Sequence, residues 1–187
     1  MMGLQSSISA LVKTRPRSSP SSVLQVANAV MFDNVRGRLR RDEHATLCLL
    51  RYEETGRCRF AGAHEELLVF RQRTGDVEAL ETPGAWMGIL PDISDATEAG
   101  EFWLEPGDVL LLYTDGVPEA MNAEREQFGM DRLVRRFRDL CSCSTQEIVE
   151  DLLGEVQTFA EIQRDDITIV AIRQRQFRPS LPAAEPN

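Results

Sequence analysis

Residues 45–116 predict a run of short apolar strands that are separated by turns rather than by helices. Two strands meet at Thr55-Gly56 and two more at Thr74-Gly75-Asp76, and both junctions are typical of β-hairpins. A Pro-Gly turn joins the last two strands, in EFWLEPGDVLLLYTDG (101–116). This order predicts antiparallel sheet and disfavours a doubly wound dinucleotide-binding fold, which requires strands that alternate with helices.

Helical patterns flank the strands on both sides. Before the strands, one helix is predicted at 3–12 and a second begins after an N-cap at Ser21 or Ser22. After the strands, helices are predicted at 129–140 and 145–160, and Ser144 or Thr145 is the N-cap of the last one. A last strand, DITIVAIR, covers 166–173. We therefore predict one α+β domain over residues 1–173, with helices grouped on the faces of antiparallel sheet. Residues 174–187 are predicted to be a disordered tail.

Composition excludes several classes of function. The 187 residues carry a net charge of −9, divided into +5 for residues 1–51 and −14 for the rest, which argues against nucleic-acid binding. No apolar run approaches the roughly 18 residues of a membrane span. The four cysteines form no CxxC pair, so we expect free thiols in a reducing cytoplasm rather than a zinc site.

Two acidic positions are candidates for chemistry because each lies at the end of an apolar strand. Asp115-Gly116 follows LLLY, and Asp165-Asp166 precedes the last strand. Taken singly, Asp115 is explained as a turn residue and the Asp165-Asp166 pair as a strand terminator. Together they favour a cation, because two carboxylates about 4 Å apart repel by roughly 4 kcal/mol at an effective dielectric of about 20. Oxygen ligands indicate Mg²⁺ or Mn²⁺, either of which suits hydrolysis of a phosphate ester.

Five segments resemble motifs of the metal-dependent (PPM-type) protein serine/threonine phosphatases. The similarity is to their bacterial branch of sporulation and stress-response sigma-regulator phosphatases, and it extends over nearly residues 1–173. The segments are SPSSVLQVANAVMFDNV (19–35), FAGAHEELLVFR (60–71), MGILPD (87–92), GDVLLLYTDGVPEAMNAEREQFG (107–129) and DDIT (165–168).

The resemblance implies a four-layer α/β/β/α sandwich, two Mn²⁺ or Mg²⁺ ions, and a metal-activated water that attacks phosphoserine or phosphothreonine. Asp115 and Asp165 become metal ligands, Gly116 permits the local geometry, and Asp166 holds the turn or reaches outer waters. No further catalytic side chain is implied. The substrate implied is a phosphorylated regulatory protein, such as an anti-sigma-factor antagonist. No membrane or nucleic-acid partner is expected, and a homodimer is left open.

The sequence departs from the family in one respect. It contains neither G-G-D nor G-D-V-S/T-G-H-G, the motifs of the first strands, whose Asp bridges the two metals. We therefore expect the first strands to be missing, sheet edges to be open, and one ion or none to be bound. The chain is then either a truncated phosphatase or a degenerate one. The second alternative is a catalytically inactive module that binds a phosphoprotein partner.

Two turn and loop segments carry large or ionisable side chains. His64, in the AGAHEE turn, is expected to be a hydrogen-bonding turn residue, with a role near the phosphate as the alternative. Trp86 and Met87 are expected to pack within their loop, with contact between Trp86 and a partner as the alternative.

Overall fold

The structure is a computed structural model that describes residues 2–38, 43–161 and 165–175. Its elements follow the predicted order of two helices, a run of strands, two helices and a last strand. The helices are α1 (Met2–Thr14), α2 (Pro20–Phe32), α3 (Met130–Leu140) and α4 (Thr145–Phe159), and a π-helical segment, Asp33–Arg38, extends α2. The strands are β1 (Leu47–Tyr52), β2 (Arg57–Ala63), β3 (Leu67–Arg71), β4 (Asp76–Leu80), β5 (Ala99–Trp103), β6 (Val109–Tyr113) and β7 (Ile169–Arg173).

The strands form two antiparallel sheets, with the orders β1-β2-β5 and β4-β3-β6-β7. The hairpins β1-β2 and β3-β4 are as predicted, but β5 and β6 belong to different sheets. The buried Asp108 carboxylate explains this difference. It accepts the backbone N–H of Gln72 at 2.9 Å and that of Glu105 at 3.1 Å, so the turn after β5 is fastened to the end of β3. The next strand, β6, consequently pairs with β3.

Three apolar clusters separate four layers. The first, around Leu24, lies between α1 and α2 and the three-stranded sheet. The second, which includes Leu110, lies between the two sheets. The third, around Phe137, lies between the four-stranded sheet and α3 and α4. The predicted α+β class and the α/β/β/α sandwich are confirmed.

Two predicted boundaries move by a few residues. Helix α2 begins at Pro20 rather than after Ser21 or Ser22, because the Ser19 hydroxyl accepts the Ser22 N–H at 3.2 Å and proline is favoured at the first helical position. Strand β7 begins at Ile169 rather than Asp166. Helix α4 has its N-cap at Ser144, within a capping box.

Strands β1 and β7 are the outer strands of the two sheets on one side of the sandwich. Within residues 2–38, 43–161 and 165–175, each of them pairs with one neighbour only, so both are edge strands. The chain after β7 remains packed at Gln174, which is buried and accepts the Tyr52 hydroxyl at 2.5 Å. From residue 176 on, the predicted tail lies outside the described residues.

The loop before β5 buries one of its two large residues. Met87 is fully buried and pairs with Ala45, whereas Trp86 is 47% exposed and stacks on His44 with ring centroids 4.9 Å apart. The prediction of packing is thus correct for Met87 and wrong for Trp86. No helix in the described part of the chain has the length and apolarity that a membrane span requires.

Candidate metal centre

Asp115 lies at the exposed end of a buried strand. The side chains of Val109, Leu110 and Leu111 in β6 are fully buried, which fixes where this strand ends. The chain then turns tightly, since the Glu119 N–H donates to the Asp115 carbonyl at 2.9 Å. The Asp115 side chain is exposed to solvent at this turn. Both readings of Asp115, as a turn residue and as a ligand, are compatible with this position.

The segment that carries Asp165 and Asp166 lies against the turn of Asp115. The pairing of β6 with β7 places Tyr113 opposite Ile169, and the hydroxyl of Thr114 continues this contact beyond the strands. It donates to the Asp166 carbonyl at 2.9 Å and accepts the Thr168 N–H at 3.0 Å. The Thr114 N–H donates to the Thr168 carbonyl at 3.1 Å. These three hydrogen bonds bring the two acidic segments together.

Gly116 allows the close approach of these segments. A Cβ built on Gly116 would lie 2.6 Å from the carbonyl oxygen of Asp166 and 3.1 Å from its carbonyl carbon. A side chain at this position would therefore collide with the backbone of the other segment. The family resemblance implied that Gly116 permits the local geometry, and the structure gives the specific reason, which is its contact with the Asp166 backbone.

Asp165 and Asp166 differ in their surroundings. Both side chains are exposed, but an Asp165 carboxylate oxygen accepts the Asp166 N–H at 2.8 Å, so its carboxylate is oriented by the local backbone. Asp166 contributes its carbonyl to the Thr114 hydroxyl. Thr168 contributes its backbone N–H and carbonyl to the hydrogen bonds with Thr114.

The donor set fits an oxygen-ligated divalent ion with few protein ligands. In the described ranges, no group of three or more His, Cys, Asp or Glu residues is arranged to hold a metal. Mg²⁺ is commonly bound through one or two carboxylates, with water and substrate phosphate in its remaining positions. Two carboxylates, as predicted for Asp115 and Asp165, would suffice for such an ion.

Sequence reasoning missed the acidic turn 64–66 beside this centre. Burial is the largest effect on the pKa of the Glu65 carboxyl and raises it; His64 lowers it, and the charges of Asp115 and Glu119 raise it further. Asp115 and Glu119 are thus close enough to Glu65 for their charges to act on it. The signal was present in the sequence, because Glu65-Glu66 follows an apolar strand just as Asp115 does.

A cavity of about 270 Å³ lies between the open edges of β1 and β7. Apolar side chains such as Leu50 and Val170 line most of it, and its polar lining includes His64, Glu65, Glu66, Thr114 and Thr168. The cavity therefore reaches the same segments that carry the acidic residues.

The sequence model of the Stage II sporulation protein E (SpoIIE) family matches residues 1–175. The chain belongs to the SpoIIE family. The phosphoserine phosphatase RsbU of Bacillus subtilis is 28% identical over 161 residues, which cover 83% of this chain and 45% of RsbU. The chain spans less than half the length of the curated relatives it matches.

Solved structures support the same fold. The SiaA-PP2C domain of Pseudomonas aeruginosa superposes with a TM-score of 0.75 at 22% identity, covering 92% of this chain and 68% of that domain. The phosphatase domain of SpoIIE from B. subtilis, presoaked with manganese, gives a TM-score of 0.59 at 18% identity and covers 95% and 76%. The SpoIIE-family chain therefore has the fold of PP2C-type phosphatase domains.

Proposed function

We propose that the chain is a metal-dependent protein serine/threonine phosphatase domain. The observation that carries this proposal is the set of three Thr114 hydrogen bonds that join the Asp115 turn to residues 166 and 168. The chain belongs to the SpoIIE family, and the family resemblance assigns the metal ligands to these two acidic segments.

Asp115 and Asp165 would hold Mn²⁺ or Mg²⁺, with Asp166 and Gly116 supporting the geometry around them. When bound, such an ion polarises a phosphoryl oxygen and lowers the pKa of a bound water. The protein residues orient the ligands: the Asp166 N–H fixes Asp165, and the Thr114 hydroxyl fixes the segment on which Asp165 lies. Two ions are implied by the family, and the two carboxylates favour one.

The proposed substrate is a phosphoserine or phosphothreonine on a regulatory protein, such as an anti-sigma-factor antagonist. The similarity to RsbU, which is named a phosphoserine phosphatase, supports the phosphoserine. The charge of −14 beyond residue 51 supports the need for a cation, because a phosphate dianion would otherwise be repelled. A cytoplasmic location agrees with the free state of the four cysteines.

One observation favours a second candidate, a phosphatase-like module that binds a phosphoprotein without hydrolysing it. Among the described residues, the side chains that could bind a metal come in no group larger than two. Two carboxylates would hold an ion weakly, and a weakly held ion would make turnover slow. For this reason we expect a low rate from the chain alone.

Phosphate release from a phosphoserine peptide distinguishes the two candidates. The assay compares the wild type, Asp115→Asn and the control Asp95→Asn, which removes one exposed charge from another loop. The phosphatase predicts Mn²⁺-stimulated release that is lost in Asp115→Asn and kept in Asp95→Asn. Peptide binding without any release would favour the module and contradict the phosphatase.

A further inference from the structure

His64 lines the cavity between β1 and β7 together with Thr114 and Thr168, which hydrogen-bond to each other beside Asp115. Its neighbours in the lining include Thr114, whose hydroxyl joins the two acidic segments, and Thr168. In the described part of the chain, His64 is the one residue of this lining with a side-chain nitrogen donor. The lining contains no lysine or arginine that could contact a phosphate.

The turn of His64 is held rigidly. The buried Thr82 hydroxyl oxygen accepts the His64 N–H at 2.9 Å, and the same hydroxyl donates to the His64 carbonyl at 2.6 Å. Both backbone groups of the residue are therefore fixed by one side chain. A donor on such a turn loses little conformational freedom when it binds a ligand.

The protonation of the imidazole follows from its own hydrogen bond. The Glu65 N–H donates to His64 Nδ1 at 2.6 Å, so Nδ1 acts as an acceptor and carries no proton. The N–H of the ring is therefore the one on Nε2. The side chain is exposed, so this N–H can be reached by a ligand that enters from solvent.

We propose that the Nε2–H of His64 donates a hydrogen bond to a phosphoryl oxygen of the bound phosphoserine and so positions it at the metal centre. This inference rests on the proposed function. This donor suits the place, because the other polar side chains of the cavity lining include the carboxylates of Glu65 and Glu66, which cannot donate to a phosphate when they are ionised. His64 would orient the phosphate, while Asp115 and Asp165 would hold the cation.

Two substitutions separate this role from the structural one. Asn places its amide oxygen near the position of Nδ1, so His64→Asn keeps an acceptor for the Glu65 N–H but loses the distal donor. Gln places its amide nitrogen near the position of Nε2, so His64→Gln keeps the distal donor. Mn²⁺ affinity serves as a control and should match the wild type in both variants. Melting temperature should match the wild type in His64→Asn, whereas His64→Gln loses the acceptor for the Glu65 N–H and should melt slightly lower.

The experiment measures affinity for a peptide that carries a non-hydrolysable phosphonate analogue of phosphoserine, with Mn²⁺ present, and in parallel phosphate release from the phosphoserine peptide. A hydrogen bond to a charged oxygen is worth about tenfold or more in affinity. We expect His64→Asn to weaken binding by about tenfold and His64→Gln to stay within about threefold of the wild type, with KM changing and kcat nearly constant.

The outcomes for the two proposals are distinct. Wild-type phosphate release with equal affinity in all three proteins would overturn the role of His64 and leave the phosphatase intact. Analogue binding that follows the predicted order, without phosphate release, would support His64 as a phosphate ligand and contradict the phosphatase. Failure of the wild type to bind the analogue would overturn the inference.

Discussion

Replacing Gly116 by alanine should force apart the two segments of the candidate metal centre. The added Cβ would lie 2.6 Å from the Asp166 carbonyl oxygen, whereas carbon–oxygen contacts of this kind begin at about 3.3 Å, so about 0.7 Å of movement is required. The opposing atoms are backbone and cannot rotate away. Overpacking of this kind costs about 1–3 kcal/mol, which is the expected loss in the free energy of unfolding.

Urea denaturation measures this loss, with Gly154→Ala as the matched control. Gly154 lies within α4, and a Cβ built on it would meet no atom within 4 Å. Alanine there should stabilise the protein by about 0.5–1 kcal/mol, because glycine is unfavourable inside a helix. If Gly116→Ala were as stable as the wild type, the close contact between the Asp115 turn and Asp166 would be refuted.

Three other predictions concern parts of the fold away from the site. Asp108→Ala should lower the free energy of unfolding by about 2–4 kcal/mol in urea melts, because it leaves two backbone N–H groups without their acceptor, while Arg71 keeps Glu78 as a partner; an effect below about 1 kcal/mol would contradict this. Ser144→Ala should cost about 1 kcal/mol through loss of the α4 cap, and an unchanged midpoint would refute that role. At pH 8, iodoacetamide should label Cys143 first and the other three thiols only after unfolding. Burial raises the pKa of these three thiols to about 11 or 12, so about one in a thousand or fewer is a thiolate. Equal labelling of all four cysteines in the folded protein would contradict this prediction. The protected thiols are Cys48, Cys58 and Cys141.

Local signals were sufficient for most of the secondary structure. The Thr55-Gly56 and Thr74-Gly75-Asp76 turns predicted their hairpins because the residues that demand a turn lie next to the strands they join. The sequence marked both acidic segments as strand ends, but their proximity depends on the pairing of β6 with β7, which the structure shows. The four layers came from resemblance to the family rather than from periodicity.

The remaining features depend on contacts between distant residues. A Pro-Gly turn has the same sequence whether it closes a hairpin or passes the chain to another sheet, and here Asp108 decides through its bond to Gln72. Trp86 and Met87 are equally apolar neighbours, and the bridge between Met87 and Ala45 determines which of them is buried. Glu65-Glu66 follows an apolar strand in the sequence, but the position of turn 64–66 beside Asp115 depends on how β2 ends relative to β6, which is a contact between distant residues.

Manganese binding, followed by electron paramagnetic resonance, tests the central claim most directly. The account predicts one Mn²⁺ per chain, with affinity reduced at least about tenfold in both Asp115→Asn and Asp165→Asn and unchanged in Asp95→Asn. Equal binding by all four proteins, or no binding by the wild type, would contradict the shared metal centre.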